Sequence, residues 1–228
     1  MEKRHHFSQL EDKIDHKFKD ISLLTEALSH PSLKQHGTNT KDYERLELLG
    51  DSLLGFIISE MIFNNFSKYQ EGQIAKIKAY AVSKDTIVKI AKTLDLARYI
   101  IMTEGEEKSH GRENPNNLEN VMEALIAAIY LDAGITKTKK FVNKLWYEYI
   151  HDLDFDTIDP KSALQELTQH LYHNTPLYKV IDKSGPMHSP TFTVQVSTSS
   201  YSQTAYGKTI KEAEKEAALK LLQILTTK

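Results

Sequence analysis

Apolar positions recur at intervals of three and four from about Glu11 to Ile150, as in Leu46, Leu49, Leu53 and Ile57 of "ERLELLGDSLLGFI" (44–57), and this period predicts helices. Two polar stretches punctuate the pattern, "KQHGTNTKD" (34–42) and "TEGEEKSHGRENPNN" (103–117). The second precedes "LENVMEALIAAIYLDAG", a helix expected to stop at Gly134, which suits a C-terminal cap. The acidic stretch "HDLDFDTID" (151–159) fits neither period and marks a linker, placed at 153–158. Beyond it the pattern changes. Asp159 and Pro160 suit the N-cap and first position of a helix, "PKSALQELTQHLY". In "TFTVQVS", Phe192, Val194 and Val196 alternate with Thr193, Gln195 and Ser197, as in a half-buried strand. "STSSYSQTAYG" suggests another strand, and Thr209 with Glu212 forms a capping box for a last helix. An all-α part thus precedes a small α+β part.

With 228 residues, 40% of them hydrophobic, the chain has material for one or two real cores. It has no cysteine, so disulfides and thiolate metal sites are excluded and a reducing compartment, the cytoplasm, is expected. The charged N-terminal stretch "MEKRHHFSQLEDKIDHKF" does not read as a signal peptide, and no apolar run reaches the roughly 20 residues of a membrane span. The net charge of -2 conceals an asymmetry: residues 160–228 hold 8 Lys or Arg against 5 Asp or Glu, while residues 1–159 hold 21 against 26. The two parts should have different partners.

The charge asymmetry directs attention to acids set within helical stripes. Glu44, Glu47 and Asp51 stand at i, i+3 and i+7 and share one helix face. Like charges so placed repel, so something cationic should offset them; Arg45 or a lysine at a solvated edge would be the ordinary answer. In the second helix, Glu123 lies among Met122, Leu125 and Ile126, with Asn120 three residues earlier. If the two helices face one another, Glu47, Asp51, Asn120 and Glu123 make an all-oxygen set suited to Mg²⁺ or Mn²⁺ rather than zinc.

"ERLELLGDSLL" resembles the ribonuclease III signature E-R-L-E-F-L-G-D-[AS]-[VL]-L, and "ENVMEALIAAIYLDAG" resembles that family's second acidic helix. The resemblance implies an all-α endonuclease domain at 1–152 followed by a double-stranded RNA-binding domain, α-β-β-β-α, at 159–228. It implies that Glu47, Asp51, Asn120 and Glu123 hold metal, directly or through water, and that Glu44 and Glu71 line the cleavage site, with structural or solvated roles open for these two. Two Mg²⁺ ions about 4 Å apart, with Mn²⁺ a possible substitute, can activate water and stabilise the attacking and leaving oxygens. The implied products carry a 5′ phosphate and a 3′ hydroxyl, and a homodimer cutting both strands would leave a two-nucleotide 3′ overhang. Two departures stand out. Asn120 occupies a position where the family commonly has Asp, and Leu48 one where it usually has a Phe that projects into the partner subunit. Leu48 is expected at the dimer interface with Leu53 and Phe56, an ordinary core role being the alternative; Gly50 and Gly55 either permit close helix approach or are tolerated costs.

The second part resembles the double-stranded RNA-binding fold in "KSALQELTQ", "GPMHSPTF" and "YGKTIKEAEKEAA". A-form RNA is read by shape, through 2′ hydroxyls in the minor grooves and the phosphates between them. The resemblance assigns Gln165, Gln169 and His188 to the minor grooves and Lys208, Lys211 and Lys215, at a helix N-terminus, to phosphates. The family's paired lysines are here Ile210 and Lys211. The leading expectation is a divalent-metal-dependent endoribonuclease for double-stranded RNA, with ribosomal precursors and structured messengers as the implied substrates. A dimeric RNA-binding protein disabled at Asn120 is the alternative. A DNA-directed nuclease would need major-groove base contacts that nothing in the last domain offers.

Overall fold

The computed structural model describes residues 2–36, 41–67, 69–151, 159–186 and 189–226. The linker expected at 153–158, and His188, lie outside them. The chain divides into two compact units, Met1–Asp152 and Leu153–Lys228.

The first unit is helical: α1 (Glu2–Lys13), α2 (Ile21–Ala27), α3 (Glu44–Asn65), α4 (Glu71–Ala81), α5 (Lys84–Thr93), α6 (Glu104–Lys108) and α7 (Pro115–His151). Helix α1 begins well before Glu11, where the apolar period becomes visible, because its residues before Phe7 are all charged or histidine and give no apolar signal. Helix α6 likewise lies inside the polar stretch 103–117; it buries nothing and is started by the Thr103 side chain accepting from the Glu106 amide at 3.4 Å. Helix α7 is the axis of the unit. Residues 121–129 are all buried, as in a helix surrounded by others, and Glu123 is the one charged residue among them. At Gly134 the backbone leaves the helix with φ 76°, ψ 177°, a left-handed conformation that glycine tolerates, and helix then resumes to His151. The expected stop is therefore a kink.

Helix α3 packs along α7, and Gly50 sets how closely. A Cβ at residue 50 would stand 1.8 Å from the backbone oxygen of Glu123, so no larger residue fits this crossing. Gly55 has open space around its missing Cβ. Of the two readings of these glycines, close approach holds at Gly50 alone. The buried Trp146 donates from its ring nitrogen to the Ala81 carbonyl at 2.9 Å, tying the end of α4 to α7.

The second unit consists of α8 (Pro160–Tyr172), β1 (Leu177–Ser184), β2 (Thr191–Ser197), β3 (Ser202–Gly207) and α9 (Ile210–Thr226). Asp159 caps α8 by accepting from the Ser162 amide at 3.2 Å, and Pro160 opens it. The antiparallel sheet runs β1-β2-β3, and the strands' Val194, Val196 and Ala205 meet Leu164, Ala217, Ala218 and Leu221 in the core. Strand β1 has no alternating apolar signature, because Leu177, Val180 and Ile181 are exposed and its register shifts between Val180 and Asp182. Thr209 accepts from the Glu212 amide at 3.1 Å, while the Glu212 carboxylate reaches past the usual capping-box partner to the Lys208 amide at 2.7 Å.

Candidate active site and nucleic-acid interface

The crossing of α3 and α7 opens into a cavity of about 460 Å³ lined by Glu44, Glu47, Leu48, Asp51, Glu119, Asn120 and Glu123. Both acidic segments foreseen from their spacing meet there. Glu71, in the first turn of α4, is exposed and does not line it. Glu119 does, and its position four residues before Glu123 is the signal by which it could have been found.

The acids act on one another through a partly dry medium. Glu123 is 8% exposed, and its carboxyl pKa is pushed up to about 8, first by burial and then by Asp51, Glu119 and Glu47, with Lys84 opposing. Glu47 is also raised, by burial and then by Glu44, Glu119, Asp42 and Asp51. Two lysines supply the positive charge anticipated for this face. Lys34 bridges the buried Asp42 and, at 2.8 Å, Glu44. Lys84, at the start of α5, reaches Glu119 at 3.0 Å and donates to Asn116 at 2.7 Å. Both come from other elements, which is why periodicity within α3 and α7 does not reveal them. The buried Tyr43 donates to Asn117 at 3.3 Å and shares a hydrogen bond with Asn120; its hydroxyl pKa is pushed up to about 12, chiefly by burial.

Among the described residues no three His, Cys, Asp or Glu side chains already converge as a ligand set, so the acids line a wall rather than close on a point. The donor set nevertheless fits a hard divalent cation. It is all oxygen, and it includes a carboxylate, Glu123, held in the core where its ionised form lacks a cationic partner among the described residues beyond the more distant Lys84.

Leu48 is 75% exposed, which rules out the core role left open for it. Phe56 and Phe63 are also exposed, and at 100° per residue the three fall within about 80° of arc on α3. Leu53, expected on the same face, is only half-buried.

In the second unit Gln165 and Gln169 stand exposed one turn apart on α8, and Lys208, Lys211 and Lys215 are exposed at the start of α9. Gly207, at the end of β3, lets that strand run close against the start of α9: a Cβ there would meet the Ala213 amide nitrogen at 2.5 Å. No helix of the described residues is long and apolar enough to cross a membrane.

Residues 20–150 match the family model described as Ribonuclease-III-like, and residues 160–225 match the double-stranded RNA binding motif. Ribonuclease 3 of Rickettsia bellii (strain OSU 85-389) is 54% identical over 221 residues, covering 96% of this chain and 97% of that protein. Ribonuclease 3 of Rickettsia felis is 51% identical with 96% and 98% covered. The solved nuclease domain of ribonuclease III from Campylobacter jejuni is similar at 36% identity and a TM-score of 0.59, over 62% of this chain and 96% of that one. With a matching nuclease domain, a matching RNA-binding motif and near full-length relatives, the chain belongs to the ribonuclease III family and is an endoribonuclease with a double-stranded RNA-binding domain.

Proposed function

We propose that this endoribonuclease hydrolyses double-stranded RNA with the help of divalent cations held at the α3/α7 cavity, leaving 5′ phosphate and 3′ hydroxyl ends. The observation that carries this reading is the buried carboxylate of Glu123 facing three other acids across that cavity. Glu47, Asp51, Asn120 and Glu123 hold the cation, Mg²⁺ by preference with Mn²⁺ as substitute. When bound, it supplies positive charge to activate water and to stabilise the oxygens that attack and leave phosphorus. Glu44, anchored by Lys34, flanks the site, and Glu71 is assigned to the cleavage groove, outside the metal cavity. Gln165, Gln169 and His188 take 2′ hydroxyls, while Lys208, Lys211 and Lys215 take phosphates. The protein acts as a homodimer through the Leu48, Phe56 and Phe63 stripe. Two sites on opposite strands then give a two-nucleotide 3′ overhang, and structured ribosomal precursors and messengers in the cytoplasm are the substrates.

Cleavage of a long end-labelled RNA duplex with Mg²⁺ tests the reading. The parent cuts RNA duplex and spares single-stranded RNA and duplex DNA; Glu123→Gln retains binding and loses at least about 100-fold in rate, the scale of a lost electrostatic contact in a transition state. Binding without cutting by the parent at every Mg²⁺ or Mn²⁺ concentration would instead mark Asn120 as disabling.

A further inference from the structure

We propose that Glu119 is an additional carboxylate of the cation site, supplying the negative charge that Asn120 does not, and that Lys84 is its counter-ion until a cation enters. The inference rests on reading the cavity as a divalent-cation site.

Three observations place Glu119 in the site. It lines the same cavity as Glu47, Asp51 and Glu123. It sits one turn before Glu123 on α7, so the two side chains share a face. Its charge is felt by acids on both helices, Glu123 on its own and Glu47 across the cavity. Glu119 pairs with Lys84 at 3.0 Å while lining the cavity with the other acids, and Asn116 takes a second hydrogen bond from the same lysine at 2.7 Å.

Asn120 makes this arrangement meaningful. Its amide contributes oxygen but no charge, and it already shares a hydrogen bond with Tyr43. A site built around it is one negative charge short of a site with Asp there. Glu119 is the neighbouring position on the same turn, and its carboxylate restores the count without occupying the place of Asn120. Lys84 is only about half-buried at 47% side-chain exposure, so it can swing into solvent when a divalent cation competes for Glu119.

The two members of the pair separate the possible roles. If the Lys84–Glu119 pair serves only to join α5 to α7, removing either member has the same consequence. If Glu119 belongs to the cation site, the effects have opposite sign: Glu119→Gln removes attraction for a divalent ion, and Lys84→Ala removes repulsion. Each change should be about fivefold, as for one unit charge at partly screened distance.

The experiment is Mn²⁺ binding to the full-length protein without RNA, measured by electron paramagnetic resonance of the free ion, for the parent, Glu119→Gln, Lys84→Ala, Glu119→Gln/Asn120→Asp and Glu123→Gln. The expected result is weaker binding in Glu119→Gln, tighter binding in Lys84→Ala, return towards the parent in the double variant and loss in Glu123→Gln. Equal weakening in the first two variants, or no change in Glu119→Gln while Glu123→Gln loses binding, would overturn the role of Glu119 and leave the cation site standing. If Glu123→Gln binds Mn²⁺ as the parent does, the cavity is not the cation site and both readings fall.

Discussion

At the scale of single residues, Gly50 is the glycine of the nuclease unit with the least room for a side chain. Adding a methyl group there meets the Glu123 carbonyl 1.8 Å away, and helix backbones cannot yield as a flexible side chain would. Gly50→Ala should destabilise the fold by about 1–3 kcal/mol or more, the range of overpacked cores. It should also weaken divalent binding by moving α3 away from α7. Gly55→Ala, with open space around it, is the control that urea denaturation should find nearly unchanged or slightly improved. This difference is invisible in the sequence, where the two glycines stand five apart in one motif. The acids were legible for the opposite reason: Glu44, Glu47 and Asp51 share a face by spacing alone, and Glu123 is conspicuous in an apolar run. Lys34 and Lys84 were not, because an ion pair between elements leaves no period along the chain, whereas Glu119 has its signal in the four-residue spacing to Glu123.

Between elements, the joint of α1, α2 and α7 depends on one buried carboxylate. Asp132 accepts from the amides of Lys19 and Asp20 at 3.1 and 2.9 Å and pairs with the buried His16 at 2.9 Å. Burial alone would raise its pKa; those hydrogen bonds outweigh burial and bring it below the usual carboxylate range. A depressed folded value means the contribution is complete above the unfolded value near 3.8 and fades as pH falls through the folded one. Asp132→Asn should therefore cost about 1–3 kcal/mol at pH 7, the scale of hydrogen bonds to a charged group. Chemical denaturation at a series of pH values should show the deficit shrinking below about pH 4 as the parent carboxylate protonates; a deficit constant down to pH 2 would contradict the assignment. Elements with caps and one apolar face, such as α8 and β2, could be read directly from the chain. Strand β1 could not, since Leu177, Val180 and Ile181 face solvent, and neither could the start of α1, where no apolar residue of the helix precedes Phe7.

For the whole molecule, the proposed homodimer rests on the exposed stripe of Leu48, Phe56 and Phe63. Phe63→Glu, remote from the cavity lining, should shift sedimentation from dimer towards monomer while leaving the circular dichroism spectrum intact, and RNA products should then be nicked rather than cut through. A parent that sediments as a monomer at every concentration would remove the basis for staggered cutting.

The chain contains one tryptophan, Trp146, fully buried and bonded to the Ala81 carbonyl three residues before Lys84. All indole fluorescence therefore originates beside the corner where α4 turns into α5 and presents Lys84 to Glu119. The protein carries its own optical gauge: a shift in emission colour or quenching on loading with cation or RNA would register motion at that corner, with no dye attached and no other tryptophan to dilute the signal.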